Sequence, residues 1–168
     1  LKILNASHSA LSYIGILCGY TYVHEAIKDE QCYKFIFNFL DKEVIPTIKI
    51  SKSFNINEYK LSVLNRFKNP FIKDKLLRIA MDGSIKIPIR VLSTYKKILN
   101  KKDLKYIYFI ITSWILFLKT KYDNGEEDEI EDLNKEIILN IFKNKKSNFI
   151  ESILNLGNIF ELTLSEKT

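Results

Sequence analysis

The sequence predicts a mainly α-helical domain of about seven to ten helices. Three observations lead there. Apolar residues recur at helical spacing, as at Phe35, Phe39 and Leu40 of QCYKFIFNFLDKEV. Glycine and proline are scarce, 5 and 3 in 168 residues, so few positions interrupt a helix. The most apolar segment, YIYFIITSWILFL over 106–118, has no partner strand nearby. A chain of this length buries roughly two-thirds of its unfolded surface, enough for a real core.

Taken in order, residues 6–18 form a first helix, with Asn5 or Ser7 as its N-cap and Gly19 as its stop. Residues 22–30 form a short helix that carries His24 beside Glu25, and 31–44 a longer one ended by Pro46. The stretch 48–55 is a loop, and Asn57 caps a helix over 58–67. Asn69-Pro70 breaks the chain, because the residue before proline is pushed out of the helical region. Residues 71–80 are helical, Asp82-Gly83 is a turn, and Pro88 opens a helix running to Leu99. Segment 106–118 is shorter than the roughly 20 residues that cross a bilayer, so it is a helix buried on most sides and not a membrane span. The acidic stretch KYDNGEEDEIEDL, 121–133, is a solvated connector; its carboxylates lack the alternating spacing of a calcium loop, and no metal is expected. Helices over 133–143 and 147–156 follow.

The net charge of +6 raises the possibility of nucleic-acid binding, but the positive charge is nearly all lysine. The arginines are Arg66, Arg78 and Arg90 alone, and there is no basic block of five or more. Base and phosphate recognition favours the arginine fork, so a solvated lysine surface is the reading and no nucleic-acid partner is expected. The same scarcity makes each arginine informative. Cys18 and Cys32 have no metal-type spacing, and Cys18, in an apolar run, reads as packing. Two cysteines and no secretory signal fit a reducing cytoplasm. No glycine-rich phosphate loop is present, so nothing here binds a nucleotide on its own.

Two constellations remain. Asn5 and His8 lie three residues apart, on one face of a helix, where the helix dipole disfavours an imidazolium. On position alone His8 reads as a satisfied polar residue at the start of a buried helix. Arg78, Asp82, Lys86 and Arg90 recur every four residues. They are either a salt-bridged ladder or, if Gly83 and Pro88 bend the backbone, a set that points Arg78 and Lys86 into a cleft.

The stretches LKILNASHSALSYIGILCGYTYVHEAI and NRFKNPFIKDKLLRIAMDGSIKIPIR resemble the C-terminal domain of the polyol-specific long-chain dehydrogenases. That family includes mannitol 2-dehydrogenase, fructuronate reductase, tagaturonate reductase and mannitol-1-phosphate 5-dehydrogenase. The resemblance is collinear from Leu1 to about Leu99 and weaker beyond. It implies that residues 1–168 are a multi-helical substrate domain, similar to the C-terminal domain of 6-phosphogluconate dehydrogenase. The N-terminal Rossmann-type partner domain, with the site for NAD or NADP, is not in this sequence.

The family signature is a lysine, four arbitrary residues, an asparagine, two more residues and a histidine. Asn5 and His8 match its asparagine and histidine as catalytic residues; the lysine falls just before Leu1, and Lys2, three residues before Asn5, does not match it. Arg78 and Lys86 match residues that hold the substrate's oxygens. The resemblance thus implies an oxidoreductase that interconverts a secondary alcohol and a ketone on an open-chain hexitol or hexuronate. The S-H-S and M-D-G-S-x-K-x-P forms lean toward mannitol 2-dehydrogenase or fructuronate reductase. On this reading the 168 residues alone are inert. A helical binding module that has lost catalysis is the rival expectation.

Overall fold

The computed structural model describes residues 1–49, 51, 54–94, 104–144 and 148–156. The first helix, α1, spans Lys2–Leu17 and starts earlier than the expected caps. Its buried face begins at Ile3 and continues through Ala6 and Ala10, so burial draws the residues before Asn5 into the helix. Asn5 is therefore a helical residue whose N–H donates to the Leu1 carbonyl at 3.0 Å. Ser7 is no cap either; its hydroxyl donates to the Ile3 carbonyl at 2.7 Å. The expected stop holds. Gly19 takes a φ of 85°, and the N–H groups of Gly19 and Tyr20 close onto the Ile16 and Gly15 carbonyls, both at 2.9 Å. Cys18, expected to pack, is exposed at this helix end, whereas Cys32 is buried.

Helix α2 is only Val23–Ala26, because Asp29 already opens the next helix by accepting from the Cys32 N–H at 2.8 Å. Helix α3 spans Glu30–Phe39 and widens into a π-helical turn, Leu40–Val44, before a short 3₁₀ turn, Ile45–Thr47, that contains Pro46. Helix α4 spans Ile56–Phe67 and is capped by Asn55, not Asn57: the Asn55 side chain accepts from the Glu58 N–H at 3.2 Å.

The expected helix over 71–80 is confined to α5, Leu76–Ala80. Asn69 turns the chain by accepting from the Phe71 N–H at 3.0 Å, and the residues that follow pair instead with 21–23. Leu76 N–H donates to the Thr21 carbonyl at 2.9 Å and Val23 N–H to the Asp74 carbonyl at 3.0 Å. Asp82, in the left-handed region at φ 52°, turns the chain into α6, Gly83–Ile87. Pro88 does not open a new helix. It continues α6 as a second π-helical turn, Pro88–Leu92, since a residue without an N–H cannot close the ordinary helical bond. Residues 95–99 of the expected helix lie outside the described residues.

Helix α7, Lys105–Asp123, holds the apolar segment. Trp114 and Ile110 are fully buried, while Tyr108, Phe109 and Leu116 form a half-exposed strip. Buried Glu43 accepts from the Tyr106 and Ile107 N–H groups at 3.0 and 2.8 Å, which satisfies donors that the helix start leaves open. A 3₁₀ turn, Glu127–Glu129, leads to α8, Lys135–Lys143, and α9, Phe149–Leu154. No helix among the described residues is long and apolar enough to cross a membrane.

Helix α1 is the hub, packed against α5, α7, α3 and both π-helical turns. Tyr13 of α1 donates its hydroxyl to the Ala80 carbonyl at the end of α5, at 3.0 Å. The acidic segment is more than a solvated connector. Asp82 N–H donates to the Glu131 carbonyl at 2.8 Å, and the Asp132 carboxylate accepts from the Ser84 N–H and hydroxyl at 2.8 and 2.5 Å. These bonds fix the turn between α5 and α6, and with it the spacing of Arg78 and Lys86.

Candidate active site

His8 projects from the second turn of α1 and stacks on Phe67 of α4, with ring centroids 4.3 Å apart and planes 14° from parallel. It shares a recess with Val23, Arg66, Phe67, Ile72 and Asp74. Burial is the main force on the imidazole and lowers its pKa from 6.5 to about 4. Asp74 opposes that shift, whereas Arg90, Arg66 and Arg78 add to it. His8 is thus neutral at physiological pH, chiefly through burial and then through the surrounding cations.

All three arginines of the chain act on this one imidazole. Of the three, Arg66 lines the recess itself.

A stability prediction follows from His8. Its folded-state pKa lies below the unfolded one, so between pH 6.5 and about 4 the unfolded chain binds the extra proton. The contribution is complete above pH 6.5 and is lost as the pH falls toward 4. Denaturant unfolding across this range gives a falling stability, and His8→Gln removes part of the slope.

Arg78 lies on α5, exposed, and its guanidinium donates to the Asp74 carboxylate at 2.6 Å. Because Asp74 lines the recess, the guanidinium stands at its rim. Lys86, on α6, is half-buried, with its ammonium 3.4 Å from the Ile79 carbonyl. Burial chiefly lowers its pKa, and Arg90 and Arg78 act in the same direction. The turn at Asp82 breaks the charged ladder; Arg78 stays exposed and paired with Asp74, Lys86 lies against the Ile79 carbonyl, and neither lines the His8 recess. Asn5 is half-buried on α1, one turn before His8.

Sequence reasoning missed three residues. Arg90, in the second π-helical turn, donates to the buried Ser9 hydroxyl at 3.3 Å, beside His8. It was visible as the fourth member of the ladder and as one of three arginines. Arg66 carried the same signal of rarity. Asp74 was marked only by its position four residues before Arg78. Lys2, not assigned to the site, donates to the Thr47 hydroxyl at 2.9 Å. Among the described residues no group of three or more histidine, cysteine or acidic side chains could hold a metal ion.

The fold and this set of donors define a helical domain with a recess lined by a neutral imidazole, one guanidinium and one carboxylate. The sequence pattern of the mannitol dehydrogenase C-terminal domain matches residues 1–168, and the chain belongs to that family. Mannitol dehydrogenase 2 of Saccharomyces cerevisiae is 40% identical over 134 residues, 79% of this chain and 27% of the relative. Polyol:NADP oxidoreductase of Gluconobacter oxydans is 37% identical over 126 residues, 74% of this chain and 26% of the relative. Among solved structures, Pseudomonas fluorescens mannitol 2-dehydrogenase in ternary complex with NAD and D-mannitol superposes with a TM-score of 0.82 at 28% identity. That superposition covers 94% of this chain and 32% of the other. The chain thus spans about a quarter to a third of the proteins it matches.

Proposed function

We propose that this chain is the substrate side of a two-domain NAD- or NADP-dependent dehydrogenase that interconverts mannitol and fructose or a closely related open-chain pair. The observation that carries the reading is the meeting of two distant motifs. His8 from the first lines a recess with Asp74, and the Asp74 carboxylate accepts from Arg78 of the second. The names of the relatives favour a polyol.

The chemistry uses each residue type for a reason. A bound nicotinamide cofactor supplies the hydride acceptor. The residues of this chain are hydroxyl-binding cations and amides, and the sequence has no glycine-rich phosphate loop. The dinucleotide therefore belongs to the N-terminal partner domain. As the alcohol is oxidised, negative charge passes through the reacting oxygen, and the Asn5 amide donates to it. Neutral His8 pairs with an adjacent hydroxyl, one ring nitrogen donating and the other accepting. Arg78 and Lys86 hold the remaining oxygens. In the family signature a lysine takes the hydroxyl proton, and no residue of this chain is assigned that role.

The test is the intact protein with mannitol and NAD or NADP, or with fructose and the reduced cofactor, followed by nicotinamide absorbance. Turnover of mannitol and fructose is expected. Preference for fructuronate would overturn the choice of a polyol, and no turnover with any of the three would overturn the reading as a whole.

A further inference from the structure

Asp74 has no role in the chemistry above, yet its placement is controlled from two sides. Its main chain is fixed by pairing with the segment before α2: the Asp74 carbonyl accepts from Val23 N–H at 3.0 Å, and Leu76 N–H donates to Thr21 at 2.9 Å. These two bonds flank the bridge between Tyr22 and Lys75. Its side chain then does two things. It lines the recess with His8 and Arg66, and it accepts from the Arg78 guanidinium at 2.6 Å.

Arg78 needs that anchor. It is exposed and lies on a five-residue helix, so its long side chain has many rotamers and little packing to select one. A guanidinium is planar, and a carboxylate that takes one of its N–H groups fixes the direction of the others.

We propose that Asp74 is a positioning residue: anchored through its main chain, its carboxylate holds the Arg78 guanidinium at the rim of the His8 recess in the orientation that receives the polyol. The inference rests on the proposed dehydrogenase reading. It predicts an effect on substrate capture, with the chemical step unchanged.

Asp74→Asn keeps both main-chain hydrogen bonds and the side-chain volume but weakens the hold on Arg78. In the intact enzyme it raises KM for mannitol by about tenfold and changes kcat by less than about twofold. Asp74→Glu restores part of the loss. The decisive comparison is a double-mutant cycle with Arg78→Ala. If Asp74 acts through Arg78, the double variant is no worse than Arg78→Ala alone. A merely structural Asp74 would give independent losses that multiply, and that result overturns the proposal, as does an unchanged KM in Asp74→Asn. Failure of the parent reading looks different: there Arg78→Ala itself leaves KM unmoved.

Discussion

Asn5→Ala in the intact enzyme lowers kcat for mannitol oxidation by about 100-fold or more while KM stays within a few-fold of the parent value. The size comes from when the amide acts. A hydrogen bond to a neutral hydroxyl in the ground state is worth little net, because water offers the same bond. The bond strengthens only as charge builds on the oxygen, so its loss appears in kcat. The fold makes this a clean test. Asn5 is half-buried within α1, its main-chain N–H is bonded to Leu1, and the neighbouring Ala6 and Ile3 carry the packing. Asparagine is also a poorer helix former than alanine, so the variant keeps or gains helix stability. Steady-state kinetics together with a thermal melt separates the two effects. A kcat reduced at unchanged melting temperature is the expected pair of results.

Gly83→Ala destabilises the domain by about 1–3 kcal/mol, the usual range for overpacking a filled core. A methyl group at this position would lie 2.3 Å from Trp114 Nε1 and 2.6 Å from the Tyr13 hydroxyl oxygen. Neither neighbour is the loose end of an exposed side chain. Trp114 and Tyr13 are both fully buried, and Tyr13 is held by its hydrogen bond to Ala80. Relief must therefore come from α6 itself, which moves away from α1 and α7. Lys86 sits on that helix, so the variant also weakens substrate binding. Denaturant unfolding measures the stability loss, and KM for mannitol measures the displacement. An unchanged midpoint would show that α6 gives way without cost.

What the sequence made legible follows from the range of the forces involved. Helical periodicity is local, so the mainly helical class, α1, α3, α4 and α7 could all be read from spacing. The stop at Gly19 is local too. Boundaries decided by tertiary contacts were not legible. Asn5 and Ser7 have good cap chemistry, but the buried face at Ile3 overrides it. Residues 71–75 have acceptable helix propensity, yet the chain at 74–76 pairs with 21–23, far away in sequence. The wide turn at Pro88 depends on where α6 begins, and that is set by Asp132, again from a distant segment.

The candidate site divides the same way. Asn5, His8, Arg78 and Lys86 were singled out by resemblance to the family's motifs, since spacing alone left both sets open. Whether the second motif was a surface ladder or a bent cleft could not be read, because the bend depends on the left-handed Asp82 and on Asp132 bonding to Ser84. Arg66 and Arg90 were marked by rarity alone, and their place beside His8, like that of Asp74, depends on how α4, α5 and the turn after α6 pack around α1. The neutral state of His8 was expected, but its largest cause, burial, and the contribution of the arginines cannot be seen from the position of a histidine near a helix start.

The most direct test of the account is a crystal structure of the intact enzyme with mannitol bound. The account predicts substrate oxygens within hydrogen-bonding distance of the Asn5 amide, the His8 ring and the Arg78 guanidinium, with Arg78 still paired to Asp74. Mannitol bound away from these residues, with the recess beside His8 left open, would contradict it.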